Sequence, residues 1–278
     1  MKSVLRQHKI QKRHARIRNV TMWIMFCSLL LGGGAVALLM VPQLQLEHIT
    51  VLGQETISMG DVERVVHAEL ADRVLGLFSR GNMLLFRTSM LEARILKEFP
   101  TIASAEVSRS FTSRDVQVAV RERTLWGVYC MSGAEETSDE TTPAQCYYIG
   151  TDGVLFEISP RFTGSVIFRV TDYRQGGTAY TLGSRVVEDE SREKIQYMEK
   201  FLTDKLSVSV REVVLGRTYN DTIELVTNEG WYVLLDGATD VKPRANDLLL
   251  VFEKHTIDRT RLEYVDIRFE GKVFYKNK

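Results

Sequence analysis

VTMWIMFCSLLLGGGAVALLMV, residues 20–41, contains no charged side chain and only two hydroxyl-bearing residues, Thr21 and Ser28. As a helix rising about 1.5 Å per residue it reaches about 33 Å. That crosses a hydrocarbon core of about 30 Å and satisfies its own backbone groups where water is absent. A membrane-spanning helix here leaves a short tail, residues 1–19, on one side and the bulk of the chain on the other. The tail carries Lys2, Arg6, Lys9, Lys12, Arg13, Arg16 and Arg18 with no acidic residue, and no cluster of cations follows Val41. The positive-inside rule predicts a cytoplasmic N-terminus and an exported remainder, which accounts for the basic tail without invoking a nucleic-acid patch. The rival reading is a cleaved signal peptide. Against it, the apolar run is longer than a signal h-region, and Val41-Pro42-Gln43-Leu44-Gln45 lacks small residues for cleavage. Gly33 and Ala37, four apart on the span, form a small-xxx-small pair able to seat a second membrane helix.

The formal charge of zero hides an asymmetry between the two sides. Seven of the 36 basic residues lie in the tail, so the other 29 face all 36 acidic residues, a balance of about −7 outside the membrane. That charge favours solubility and gives nucleic acid nothing to bind. The remainder is long enough for two domains with their own cores. Cys27 sits in the span and is expected to behave as a small apolar residue. Cys130 and Cys146 flank a polar loop, residues 131–145, on the side where disulfides persist. They are read as a disulfide closing the base of a hairpin, worth about 3 kcal/mol for a loop of this length. Two unpaired thiols, or a metal or nucleophilic role, are the alternatives.

Beyond the span, residues 46–52 suit a short strand ended by Gly53. Ser58-x-x-Asp61 has the form of a helix cap, with Val62, Val65, Val66 and Leu70 following at helical spacing. Met83-Leu84-Leu85-Phe86 is a short apolar link. Ser89-x-x-Glu92 is then expected to open a second helix carrying Leu91, Ile95 and Phe99, ended by Pro100. Residues 102–109 and 115–122 read as two strands, the second alternating Val116, Val118 and Val120 against polar or small residues. The order strand-helix-helix-strand-strand predicts an α+β module with one sheet layer covered by two helices.

Ile49-Thr-Val-Leu-Gly53, Gly81-Asn82-Met-Leu-Leu-Phe86, Phe99-Pro-Thr-Ile102, Ala105-Glu-Val107 and Val118-Ala-Val-Arg-Glu-Arg123 together resemble the POTRA domain of the FtsQ/DivIB cell-division family. The position directly after a membrane anchor matches as well. The resemblance implies a POTRA domain over residues 44–123 and a β domain over 124–278. Tyr147-Tyr-Ile-Gly-Thr-Asp-Gly-Val-Leu-Phe156 is similar to the opening of the family's second domain. Tyr264-Val-Asp-Ile-Arg-Phe269 is similar to the signature preceding its final strand.

Read from its own residues, the second region is strand-rich with two helices. Residues 125–129 and 145–149 are hairpin arms, and Asp152-Gly153 turns into 154–156. Residues 166–170, 208–215, 222–226 and 231–235 are further strands. Residues 188–204 form an amphipathic helix through Ile195, Met198, Phe201 and Leu202, and Pro243 stands at the start of another carrying residues 248–252. In the strand 261–269, Val265, Ile267 and Phe269 are expected on one face, with Tyr264, Asp266 and Arg268 on the other. Residues 272–276 supply the final strand.

No reaction centre is legible. His48, His67 and His255 sit in no ligand spacing, and no phosphate loop, nucleophile elbow or Ser-x-x-Lys pair occurs. No catalytic residue, metal, cofactor or small-molecule substrate is expected, so binding is the function to look for. A strand that ends the chain is expected near a sheet edge, where a partner segment can add to unpaired N–H and C=O groups. Val273, Phe274 and Tyr275 would flank that pairing. The resemblance implies that this end receives FtsB/DivIC-like and FtsL-like bitopic proteins at the division septum, with Arg268, Phe269, Gly271, Val273 and Phe274 at the contact. Arg121-Glu122-Arg123 is a candidate for setting the domain junction through ion pairs. Two other readings are a membrane-anchored POTRA protein of secretion or envelope assembly, and an anchored envelope hydrolase.

Overall fold

The computed structural model describes residues 2–74, 76–131, 146–160, 167–174, 180–219, 221–237, 240–254 and 257–278, with the backbone alone for 2–18 and 35. The side chains of the basic tail, most of the 131–145 loop, the start of the strand expected from Val166, and His255 lie outside the described residues.

Helix α1 (Lys2–Leu39) runs through both the tail and the apolar stretch. Within it, Asn19–Leu39 is long and apolar enough to cross a membrane, and the side chains described from Asn19 to Leu38 are exposed. The helix ends two residues before the expected Val41. Met40 donates back to Ala37 (3.1 Å), Val41 is extended, and Pro42–Leu44 forms a 3-10 turn. The Asn82 side-chain amide donates to the Leu39 carbonyl (3.0 Å), one of the last-turn acceptors a helix cannot satisfy itself. Gly33 and Ala37 are exposed, and a Cβ built on Gly33 meets nothing.

The chain divides into two compact units, and the first comprises Met1–Ile95 and Ala105–Val120. After α1 come β1 (His48–Leu52), α2 (Met59–Ala71), a small hairpin of β2 (Arg73–Val74) and β3 (Phe78–Ser79), and α3 (Thr88–Glu98). Then follow β4 (Ile102–Arg109) and β5 (Asp115–Glu122), and the sheet order is β1-β5-β4. The expected order is thus present with one hairpin added. β1 is parallel to β5, placing Val51 opposite Val118. Val62 and Val66 of α2 and Leu91 and Ile95 of α3 are buried, as are Val116, Val118 and Val120 on one face of β5. Spacing of four on the helices and two on the strand aims these side chains at one core.

Both expected caps differ in detail. Ser58 stands at the start of α2 but makes no side-chain cap, and Asp61 is engaged by Arg64 one turn on. Glu92 does not cap α3. Its carboxylate accepts from the Val107 backbone N–H (3.0 Å), tying the helix to β4. Gly53 ends β1 at φ +85, and a Cβ there would stand 2.2 Å from the Val120 carbonyl oxygen, so both conformation and close approach require glycine.

The second unit comprises Leu96–Ser104 and Arg121–Lys278. Arg123 explains why residues 96–104 group with it. Its N–H donates to the Thr101 carbonyl (2.7 Å), and its guanidinium reaches the carbonyls of Pro100 (2.6 Å) and Ile102 (2.5 Å) and pairs with Asp152 (3.0 Å). Arg121 donates to Ser104 (3.3 Å).

Among the described residues nine strands form one mixed sheet: β6 (Leu125–Met131), β7 (Cys146–Gly150), β8 (Leu155–Ser159), β9 (Arg169–Asp172), β10 (Val210–Leu215), β11 (Thr222–Thr227), β12 (Tyr232–Asp236), β13 (Leu262–Asp266) and β14 (Phe274–Asn277). Their order is β14-β13-β12-β11-β10-β9-β6-β7-β8. Two helices join parallel neighbours: α4 (Asp189–Leu206) links β9 to β10, and α5 (Val241–Lys254) links β12 to β13. Ile195, Met198 and Leu202 of α4 and Ala245 and Leu248 of α5 pack with Trp231, Leu225, Val233 and Val265 in one core. Cys130 and Cys146 stand directly opposite on β6 and β7 at disulfide distance, their Cα atoms 4.5 Å apart.

Candidate functional site

β14 is an edge strand. Among the described residues it pairs only with β13, antiparallel, with Val265 opposite Tyr275 and Asp266 opposite Phe274, and all four of its residues are exposed. The Lys278 N–H donates to the Arg261 carbonyl (2.8 Å). By the alternation of an antiparallel ladder, Phe274 and Lys276 therefore also turn their backbone groups to β13. Tyr275 and Asn277 present N–H and C=O outward.

The neck of this hairpin is shaped by a local device. Asp266, 6% exposed, accepts from the Arg268 backbone N–H (3.1 Å) and from its Nε (2.9 Å) and Nη2 (2.7 Å). The fork-on-carboxylate bond holds the Arg268 guanidinium above its ordinary pKa, despite burial that works the other way. The Asp266 side chain thus satisfies the backbone two residues on and ends β13. That overturns one expectation: Val265 and Ile267 are buried, but Phe269 has left the strand and is half exposed. Its ring meets the exposed Phe274 edge to face (5.5 Å), and the Arg268 guanidinium lies 5.8 Å from its centroid. Gly271 makes the turn at φ +62 with open space around it.

Of the six expected contact residues, then, the half-buried Arg268 and the exposed Phe269 and Phe274 form one cluster. Gly271 turns the hairpin behind them, and Tyr275 lies on the opposite face of β14 from Phe274. Val273 is half-buried against the core. No family model matches the chain, and no curated protein matches its sequence.

Cations gather beside this neck. Lys194 of α4, Arg244 of α5 and Arg268 line a cavity of about 10 Å3 together with Asp236. Lys194 Nζ is held by Glu190 (2.8 Å) and by the Gly237 carbonyl. Arg244 is only 8% exposed, and its Nε has no hydrogen-bond partner among the described residues. Neither helix residue was legible as part of a site, because each sits in an ordinary amphipathic pattern and meets Arg268 only through the packing of α4 and α5.

A second Asp-x-Arg unit, which sequence reasoning did not single out, lies elsewhere in the same sheet. Asp172-Tyr-Arg174 at the end of β9 repeats the geometry of Asp266-Ile-Arg268, with Arg174 Nε (2.9 Å) and Nη2 (2.6 Å) on Asp172. Here the fully buried Tyr129 hydroxyl also donates to Asp172 (2.7 Å), and Arg174 reaches the Val186 carbonyl (2.7 Å). This copy is tied into the core by those two further bonds, while the β13 copy stands beside the edge strand.

Among the described residues no three His, Cys, Asp or Glu side chains are grouped to hold a metal ion.

Proposed function

We propose that this chain is a non-enzymatic, single-pass membrane scaffold of the bacterial division machinery, of the FtsQ/DivIB kind, which captures a bitopic partner by strand addition at β14. The observation that carries this reading is an exposed edge strand flanked by an Arg-aromatic cluster, on a chain whose motifs resemble that family throughout. An unpaired ladder edge supplies main-chain affinity, and Phe269, Phe274 and Tyr275 supply side-chain selectivity around it. Three cations, Lys194, Arg244 and Arg268, against the single carboxylate of Asp236 line the cavity beside the neck, and Arg244 Nε has no hydrogen-bond partner among the described residues, which favours a partner carrying carboxylates at that point.

In this proposal Asn19–Leu39 spans the inner membrane with the N-terminus in the cytoplasm. The first unit is the POTRA domain, and the partners are FtsB/DivIC-like and FtsL-like proteins. Anchoring all of them in one bilayer raises effective concentration, so individually weak contacts suffice. A fluorescent fusion of the full chain in dividing cells is expected to concentrate in a mid-cell band. Even staining of the envelope would count against a division role and favour secretion or envelope assembly.

A further inference from the structure

Residues 73–90 of the first unit carry more exposed apolar surface than a water-facing loop needs. Leu77 is 70% exposed and Leu84 55%, with Met90 exposed beside them. Leu84 and Met90 line a cavity of about 350 Å3, within the range of ligand pockets, together with Glu69, Arg80, Phe86 and Arg87.

The charge inside this groove is one-sided once its ion pairs are counted. Buried Glu69 accepts from Arg80 (2.6 Å) and Arg94 (2.6 Å), and Arg94 also reaches Asp72 (3.3 Å). Burial pushes the Glu69 carboxyl up, but the bonds from Arg94 and Arg80 outweigh it and hold the group below its ordinary range, so Glu69 stays ionised. Two carboxylates thus offset Arg80 and Arg94. Arg87, which lines the groove, and Arg73, the chain neighbour of the lining Val74, are both exposed, make no ion pair among the described residues and remain as surplus cations.

The groove's position decides what can occupy it. Asn82 is bonded to the Leu39 carbonyl (3.0 Å), Met83 N–H to the Leu44 carbonyl (2.8 Å), and Leu46 N–H to the Gly81 carbonyl (2.9 Å). Residues 81–83 are therefore stitched to the chain where the apolar helix ends. If that end marks the hydrocarbon boundary, a headgroup layer of about 5–8 Å follows. Leu84, two residues beyond Asn82, lies at most about 8 Å along the chain from it.

We propose that this groove binds an anionic phospholipid of the leaflet into which α1 emerges. Acyl carbons lie against Leu84, Phe86 and Met90, and the phosphate is taken by Arg87 and Arg73. Exposed leucines interleaved with arginines at headgroup depth match both halves of that molecule. A free phosphate would leave the apolar lining in water. The proposal rests on the reading of Asn19–Leu39 as a membrane span.

The test uses the full chain in nanodiscs, with two positions for an environment-sensitive nitrobenzoxadiazole probe. One is Cys27, the free cysteine in the span; the other is Leu84→Cys in a Cys27→Ser background. The Cys27 probe is expected to report hydrocarbon. The Leu84→Cys probe is expected to be quenched by lipids carrying a headgroup nitroxide, more so when phosphatidylglycerol is present. Native mass spectrometry of the unlabelled protein is expected to show retained phosphatidylglycerol, with the preference reduced about fivefold by Arg87→Gln. A Leu84→Cys probe in water beside a Cys27 probe in hydrocarbon overturns the lipid site and leaves the span standing, as does equal retention by Arg87→Gln. A Cys27 probe in water overturns both.

Discussion

Tyr275→Pro is expected to weaken capture of the FtsB/DivIC-like partner about 100-fold while leaving the second unit folded. The Tyr275 N–H points away from β13, so proline removes no bond from the existing ladder, and an edge strand tolerates it on its outward side. An incoming strand would lose one main-chain bond and meet the pyrrolidine ring, together about 3 kcal/mol. Phe274→Asp acts by a different route, replacing the half-exposed ring that meets Phe269 with a charge beside the main-chain contact. Removal of residues 271–278 deletes the edge and is expected to abolish recovery of the partner. Lys276→Ala removes only an exposed pair with Glu263 and should change affinity less than about threefold. Co-purification and titration of full-length proteins in detergent measure the series. Undiminished binding by Tyr275→Pro would place the contact elsewhere.

Asp172→Asn is expected to produce the largest loss of stability, about 3 kcal/mol. Asp172 has 3% of its side chain exposed and serves the buried Tyr129 hydroxyl, the Arg174 backbone N–H and the Arg174 fork. The amide keeps one acceptor oxygen and turns the other into an NH2 that faces a donor, and it leaves a largely buried guanidinium without its counter-charge. For a unit of this size that corresponds to a drop of about 6–12 °C in Tm. Tyr129→Phe, which removes one donor and keeps the packing, should cost about 1 kcal/mol.

The same carboxylate gives an acid signature. Burial works to raise the Asp172 pKa, but hydrogen bonds from Arg174 and Tyr129 outweigh it and hold the group below the ordinary carboxylate range. Its contribution is therefore complete above the unfolded pKa of about 3.9 and is lost as pH falls through the lower folded value. Wild-type stability should decline across that acid window, and the Asp172→Asn protein should decline less steeply there. Thermal unfolding followed by tryptophan emission would show both. Equal slopes in the two proteins would mean that the Asp172 knot contributes nothing to folding.

Much of this was readable wherever a residue pattern repeats within a few positions. The apolar helix, the i, i+4 valines of α2 and the alternating valines of β5 declare themselves locally, as does the helix through Ile195, Met198 and Leu202. The two-residue strands β2 and β3 did not, since a period cannot show in so short a run. Phe269 was placed on the same face as Val265 and Ile267 by extending the alternation of the strand. The Asp266 side chain captures the Arg268 N–H and ends the strand first. Glu92 looked like a capping residue and instead serves Val107, a partner 15 positions away. The position of β9 between β6 and β10, and the meeting of Lys194 and Arg244 with Arg268, are products of long-range pairing that no local pattern records.

Backbone amide exchange at Tyr275 and Asn277, followed with and without the FtsB/DivIC-like partner, tests the central claim most directly. Strand addition predicts that these two outward N–H groups are protected on binding by about tenfold or more, while amides of the opposite edge strand, β8, keep their free rates. Binding that leaves Tyr275 and Asn277 exchanging as in the free protein would contradict the account.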